Sequence, residues 1–304
     1  MAIPMKKNKI KMSSASDRLY VSLALLLLTF ALIAVAFPLI YVVSSSFSSP
    51  EAVGNGRVFL LPVEPGIQGY QAVFSTPMIW RGYRNSIFYT IVGTVINLVM
   101  TMLAAYPLSR KDLKIRGFVS LMFSFCMIFG AGMIPTNLLV RDLGMTNTIW
   151  SMLIPGAMSV YNVIIARTYI QVSIPDELYE SASLDGCTDG RYLCRIVVPL
   201  SKPILAVLTL WYAVGHWNSY FSAMIYLRDQ KLVPLQIVLR NILIVENMDS
   251  VDMMNNINNF LEKQYMKNLY QYSLIIVASA PVMMMYPFIQ KHFVKGIMLG
   301  SIKG

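Results

Sequence analysis

The sequence predicts an all-α membrane protein with six transmembrane helices and both termini on the cytoplasmic face. Three observations carry this. Hydrophobic residues make up 56% of the 304-residue chain and charged ones only 13%, against roughly a quarter charged in an ordinary soluble domain; the mean hydropathy of +0.57 agrees. The apolar residues gather in runs long enough to cross a hydrocarbon core of about 30 Å at about 1.5 Å per residue. The net charge of +10 lies at the ends of those runs and not in one patch, which marks membrane topology and argues against a nucleic-acid surface.

In chain order, a basic segment over residues 1–19 carries Lys6, Lys7, Lys9, Lys11 and Arg18 against a single acid, Asp17. A first span follows over 20–43. Ala34-Val35-Ala36 has the form of a signal-peptide cleavage site, but the apolar run continues unbroken past it, so the segment is expected to stay as an anchor. Residues 44–84 form a turn-rich loop with Pro50, Gly54, Gly56, Pro62, Pro65 and Gly66. The second span covers about 85–108, and the basic cluster 110–116 separates it from a third over about 117–139. Gly130, Gly132 and Pro135 are expected to distort the far end of that third span, where neighbouring helices re-satisfy freed backbone groups. Asn147 and Thr148 read as the cap of a fourth span reaching about 170. The polar segment 173–200 comes next, then a fifth span from Ser201 and Pro203 to about 227. A second polar loop over 228–266 leads to the sixth span, about 268–290, and the tail 291–304. The membrane domain is therefore 20–290.

Six spans put both termini on one side. The basic clusters 6–18, 110–116, 191–202 and 291–303 all fall on that side, while the opposite loops hold Glu51, Glu64, Glu246, Asp249 and Asp252. The positive-inside rule then makes the termini and residues 173–200 cytoplasmic.

Residues 173–200 form the longest polar stretch between apolar runs in the second half of the chain. Ser173 and Asp176 have capping-box spacing, and Pro175, Asp176 and Glu177 suit the first turn of a helix. Leu178 and Ala182 share a face that excludes Glu180. Gly186 is placed to end the helix in a left-handed conformation. The chain would turn at Cys187-Thr188-Asp189-Gly190 and restart towards Pro199. This segment is too short and too polar to span a bilayer, so it must lie beside one.

The spans carry no Asp, Glu or Lys at their middles, and Arg167 lies near a cytoplasmic end where it can snorkel. That weighs against a proton- or ion-coupled carrier. No phosphate-binding loop of the form GxxxxGK[ST] is present, so ATP binding by this chain is not expected. No catalytic or metal-binding constellation is expected either: His216 and His292 are far apart in the topology, and Cys126, Cys187 and Cys194 lack ligand spacing. The fifth span is the unusual one, because residues 211–222 place five aromatics, a His and an Asn in a helix that should be lipid-like. Trp211, Tyr212, His216, Trp217, Asn218 and Phe221 admit two readings. One is a substrate pathway of flat rings and hydrogen-bonding groups suited to sugars. The other is an aromatic interface belt with Asn218 bonding a neighbouring helix. Met283-Met284-Met285 reads as adaptable packing.

The stretch IPDELYESASLDG with its downstream Ile196 and Pro199 resembles the EAA loop of ABC-type importer permeases. Glu180, Ala182, Asp185, Gly186, Ile196 and Pro199 fill that pattern, with Ser181 and Cys187 standing where the family has alanines. The stretches at 104–110 and 143–148, the Trp217-Asn218 pair and the C-terminal tail are similar to the carbohydrate-uptake branch, the tail to the second permease of complex-oligosaccharide systems. The resemblance implies a type I ABC importer permease fold in a bacterial plasma or inner membrane. It also implies a second homologous permease, two cytoplasmic ATPase subunits that hold ATP and magnesium, and an extracytoplasmic solute-binding protein. The short helix of residues 173–200 would then be the coupling helix that meets the ATPase. Alternatives are a permease for a peptide or polyol, or a self-sufficient secondary carrier.

Overall fold

The computed structural model describes residues 15–244 and 257–300; the side chains of 243–261, 263 and 286–300 lie outside this description, and so do Lys6 to Lys11, Glu246, Asp249, Asp252, the His292 side chain and those of the tail. No strand occurs among the described residues. The chain divides into two compact units, one of residues 1–71 and 254–276, the other of residues 72–253 and 277–304.

In the first unit, α1 (Ala15–Ser46) is apolar all round and its membrane-length window is wholly exposed, as a lipid-facing helix should be. Its last turn is rich in serine. Ser44 Oγ donates to the Leu60 carbonyl at 2.7 Å, and the Val63 amide donates to Ser48 Oγ at 3.0 Å, so the 44–84 loop is folded back on the helix end. That loop holds α2 (Pro50–Gly54), capped by Ser49 Oγ accepting from the Ala52 amide, and α3 (Gln68–Ser75). Ala52, Val53, Val58 and Leu269 form its small core.

The second unit is built around α4 (Pro77–Ser109), a 33-residue helix. Its buried face reads Gly82, Ser86, Tyr89, Gly93, Asn97, Thr101 and Ala105. Small and weakly polar residues at that spacing let other helices approach closely where lipid offers no hydrophobic drive between them. A Cβ on Gly82 would lie 3.0 Å from the Leu235 Cα, and Ser86 Oγ accepts from the Leu235 amide at 2.9 Å.

The expected distortion of the third span is a full break. α5 (Arg116–Ile128) and α6 (Met133–Asp142) meet at 114°, with Gly132 at φ +78 between them. The fourth span is broken too, into α7 (Trp150–Leu153) and α8 (Val160–Ser173). Asn147 is not its cap: at φ +59 it turns its amide oxygen onto the amides of Arg228 and Asp229, at 2.9 and 2.8 Å. A side chain with two remote donors available satisfies them before a helix that starts at Trp150.

After α9 (Asp176–Leu184) and α10 (Asp189–Tyr192), Leu193–Val197 widens into a π-helical turn leading to α11 (Val198–Leu200). An 84° bend at Ser201 opens α12 (Lys202–Trp217). Pro199 and Pro203, which lack the amide donor, flank that bend. The fifth span then breaks at Asn218 before α13 (Tyr220–Tyr226), so the aromatic segment is not one continuous helix. α14 (Leu235–Ile244) lies in the second polar loop, and α15 (Ile257–Gly300) runs through the sixth span into the tail. Among the described residues two helices are long and apolar enough to cross a membrane, or up to four segments if each bent pair counts as one.

Candidate functional site

The polar segment 173–200 folds as the short helix α9, followed by α10, the π-helical turn and α11. Its start differs from the capping-box expectation: Ser173 ends α8, Pro175 takes the N-cap position, and the Asp176 carboxylate accepts from Lys111 Nζ at 2.7 Å. A rigid Pro with extended backbone already directs the chain into the helix, so no side-chain cap is used. The end is as expected. Gly186 sits at φ +73, its amide donates to the Ser183 carbonyl and the Cys187 amide to that of Ala182, at 3.0 and 2.9 Å. These paired bonds are a Schellman closure.

Ala182 is the one buried residue of α9; Leu178, expected on the same face, is 42% exposed. Glu180 and Asp185 are exposed, and Leu184 is 90% exposed, an apolar side chain held out from the chain. Ala182 is buried among Met102, Tyr106, Ile170, Tyr192 and Val197. Ile196 is half-buried in the π-helical turn, and Pro199 is exposed in α11. Sequence reasoning placed all six motif residues in this segment but missed Tyr179 and Arg110. The Arg110 guanidinium lies 3.1 Å from the centre of the Tyr179 ring, and two 2.9 Å bonds to Asp112 hold it there. Those bonds keep the Asp112 carboxyl below the usual carboxylate range. Tyr179 and Tyr106 both donate to Asp189 Oδ1, at 3.0 and 3.3 Å. The carboxylate pushes the Tyr179 phenol up, so that ring stays a neutral donor. Arg110 and Tyr179 are too far apart in the chain for any spacing rule to join them.

The six candidate pathway residues, four on α12 and the others at the Asn218 break and in α13, fall into two sets. Tyr212, His216 and Trp217 turn inward. The Tyr212 hydroxyl is 2.7 Å from Thr101 Oγ1 and accepts from the Ser159 amide at 3.4 Å. His216 Nε2 is 2.6 Å from Asn97 Oδ1, and the Asn97 amide donates to the Gly156 carbonyl. Trp217, only 4% exposed, donates to the Ala278 carbonyl at 3.2 Å. The Tyr212 and His216 contacts bond α12 to α4 and to the break between α7 and α8, where freed backbone groups need partners, and Trp217 ties it to α15. Trp211, Asn218 and Phe221 are exposed instead. Tyr161, another residue that sequence reasoning missed, is exposed and stacks on Trp211 with centroids 6.0 Å apart and planes 29° apart. Among the described residues no His, Cys, Asp and Glu side chains are grouped as a metal site would need.

The described residues are helical and include helices long and apolar enough to cross a membrane, and this chain belongs to the permease family of ABC-type sugar and oligosaccharide transport systems. It is 40% identical over 278 residues to the polygalacturonan/rhamnogalacturonan transport system permease protein YtcP of Bacillus subtilis (strain 168), covering 91% of this chain and 96% of that relative. It is 38% identical over 267 residues to protein LplC of the same organism, covering 88% and 89%. Among solved structures, a bacterial ABC transporter involved in the import of the acidic polysaccharide alginate contains a chain that matches with a TM-score of 0.83 at 35% identity, over 92% of this chain and 98% of that one. No protein-family model matches the chain. It is an integral membrane protein of the bacterial inner-membrane type.

Proposed function

We propose that this chain is one of two homologous permeases in an ATP-driven importer, and that α9 is the coupling helix through which a pair of cytoplasmic ATPase subunits drives alternating access. The observation that carries this reading is the outward set of Glu180, Leu184 and Asp185 on a helix whose other face is seated on the chain. An exposed leucine flanked in the chain by exposed Glu180 and Asp185 suits a protein cleft lined by apolar and basic groups, and it is poorly suited to an anionic inner leaflet. Ala182 lets α9 seat closely on the chain, and Gly186 adds no bulk at its exposed end.

In this reading the six spans are α1, α4, the bent pair α5 and α6, the pair α7 and α8, the pair α12 and α13, and α15. The basic segment 1–19, the loop 173–200 and the tail 291–304 face the cytoplasm, and the loops 44–84 and 228–266 face outward. This chain binds no cofactor; ATP and magnesium belong to the ATPase subunits. An extracytoplasmic binding protein delivers the solute. One relative is named for polygalacturonan/rhamnogalacturonan transport and the matching solved structure for import of the acidic polysaccharide alginate, and the solute assigned here is an acidic oligosaccharide. Trp211, Asn218 and Phe221, joined by Tyr161, are the groups that meet it.

The test is Glu180→Lys and Gly186→Trp in the assembled transporter. Both should abolish uptake and saccharide-stimulated ATP hydrolysis while leaving membrane insertion intact. Normal coupling in both variants would falsify the assignment of α9.

A further inference from the structure

We propose that Tyr179, Arg110 and Asp189 form a clasp that makes α9, α10 and the C-terminal end of α4 move as one piece, so that Tyr179 and Arg110 are positioning residues for transport. The inference rests on α9 being the coupling helix. The backbone joins α9 to the rest of the chain only at its two ends, through the extended Ile174-Pro175 link and the left-handed turn at Gly186, and neither reaches α4. Burial of Ala182 is non-directional and fixes no angle.

The clasp is directional. The Tyr179 ring lies under the guanidinium of Arg110, the C-cap residue of α4, whose side chain is only 18% exposed. The Tyr179 hydroxyl reaches Asp189 at the start of α10, and Tyr106, one turn back on α4, donates to the same carboxylate oxygen. Tyr192 packs its ring edge-on against Tyr179 at 5.1 Å and tilted against Tyr106 at 6.1 Å. A cation over a ring, a shared carboxylate and the Tyr179–Tyr192 ring contact together oppose rotation of α9 about its own axis. The other tie, Lys111 to Asp176, has both side chains more than half exposed and is screened by salt. From the clasp, motion enters α4 and passes through the Thr101–Tyr212 and Asn97–His216 contacts to α12, the helix that carries Trp211 and Asn218.

The experiment uses the complete transporter in proteoliposomes, with short oligogalacturonates and the loaded binding protein as probe. It reads uptake per ATP hydrolysed and the ratio of stimulated to unstimulated hydrolysis. Tyr179→Ala should lower uptake per ATP by about tenfold, the size of a lost cation–π contact with a lost charge-assisted hydrogen bond. Tyr179→Phe, which keeps the ring under Arg110 but not the bond to Asp189, should recover the part of it that the ring carries. A structural prop alone would not divide hydrolysis from uptake in this way. Wild-type coupling in assembled Tyr179→Ala complexes, or no rescue by Phe, overturns the proposal. If Tyr179→Ala does not assemble, Arg110→Gln decides by the same ratio; failure of both to assemble makes the cluster a folding group and also overturns it. Glu180→Lys in parallel separates the two ideas. If it too leaves uptake intact, the coupling reading has failed, and if it alone abolishes uptake, only the clasp has.

Discussion

The Asn97 amide sits between His216 and the Gly156 carbonyl: its oxygen is 2.6 Å from His216 Nε2 while its nitrogen donates to Gly156, so the imidazole carries its proton on Nε2. One side chain on α4 therefore joins α12 to the break between α7 and α8. The imidazole fits because the facing residue on α4 is Gly93, where an added Cβ would overlap the ring.

Gly93→Ala is expected to destabilise the chain by about 1–3 kcal/mol, the usual cost of overpacking a tight contact. Combining it with His216→Ala should recover part of the loss, since the clash is with the ring itself. Thermal unfolding of the purified protein in detergent measures both; a double variant less stable than the sum of the two singles would show that the ring is not the obstacle.

Asn97→Leu strands the His216 N–H and the Gly156 carbonyl together. The expected cost is about 1–3 kcal/mol, that of buried polar groups left without partners. The fall in unfolding temperature should exceed that of Thr90→Val on the same helix. Equal effects would mean that the amide only fills space.

Gly186 occupies a backbone region that costs an ordinary residue about 1–2 kcal/mol. Gly186→Ala should therefore loosen the end of α9, while Gly186→Asn should be milder because Asn tolerates the left-handed region. Amide hydrogen exchange at residues 186 and 187 is the readout, with faster exchange in the alanine variant expected. Identical protection in all three proteins would remove Gly186 from the account.

Trp211→Ala and Asn218→Ala should lower saccharide uptake in complexes that still assemble, because both side chains are exposed. Tyr212→Phe should act on stability instead, by about 1 kcal/mol, through its lost bond to Thr101. Loss of assembly with unchanged uptake per complex in the first two variants would make them packing groups.

Uptake of a labelled oligogalacturonate should be competed by alginate fragments and not by neutral maltodextrins. Competition by maltodextrins alone would refute an acidic solute.

Much of the architecture was legible because it follows from solvent. Lipid demands long apolar runs, and the runs at 20–43 and 85–108 became α1 and α4. Gly186 was readable because a left-handed helix end has few other solutions, and the EAA-like residues are recognised by their spacing along 180–199. The breaks were only half visible. Gly132 announced the end of α5, but nothing local separates Asn218 from the helix before it, and Asn147 looked like a cap until its partners at 228 and 229 were in place.

By itself, then, the sequence determined that the chain lives in a membrane, that a polar helix interrupts its spans, and which residues that helix carries. Those properties depend on composition, charge and short-range spacing. Tertiary structure alone decided which aromatic residues of α12 are packing and which are exposed, and which side chains hold the polar helix in place. Residues 106, 110, 179 and 189 meet only after α4, α9 and α10 have packed, and contacts of that kind leave no periodic trace in the chain.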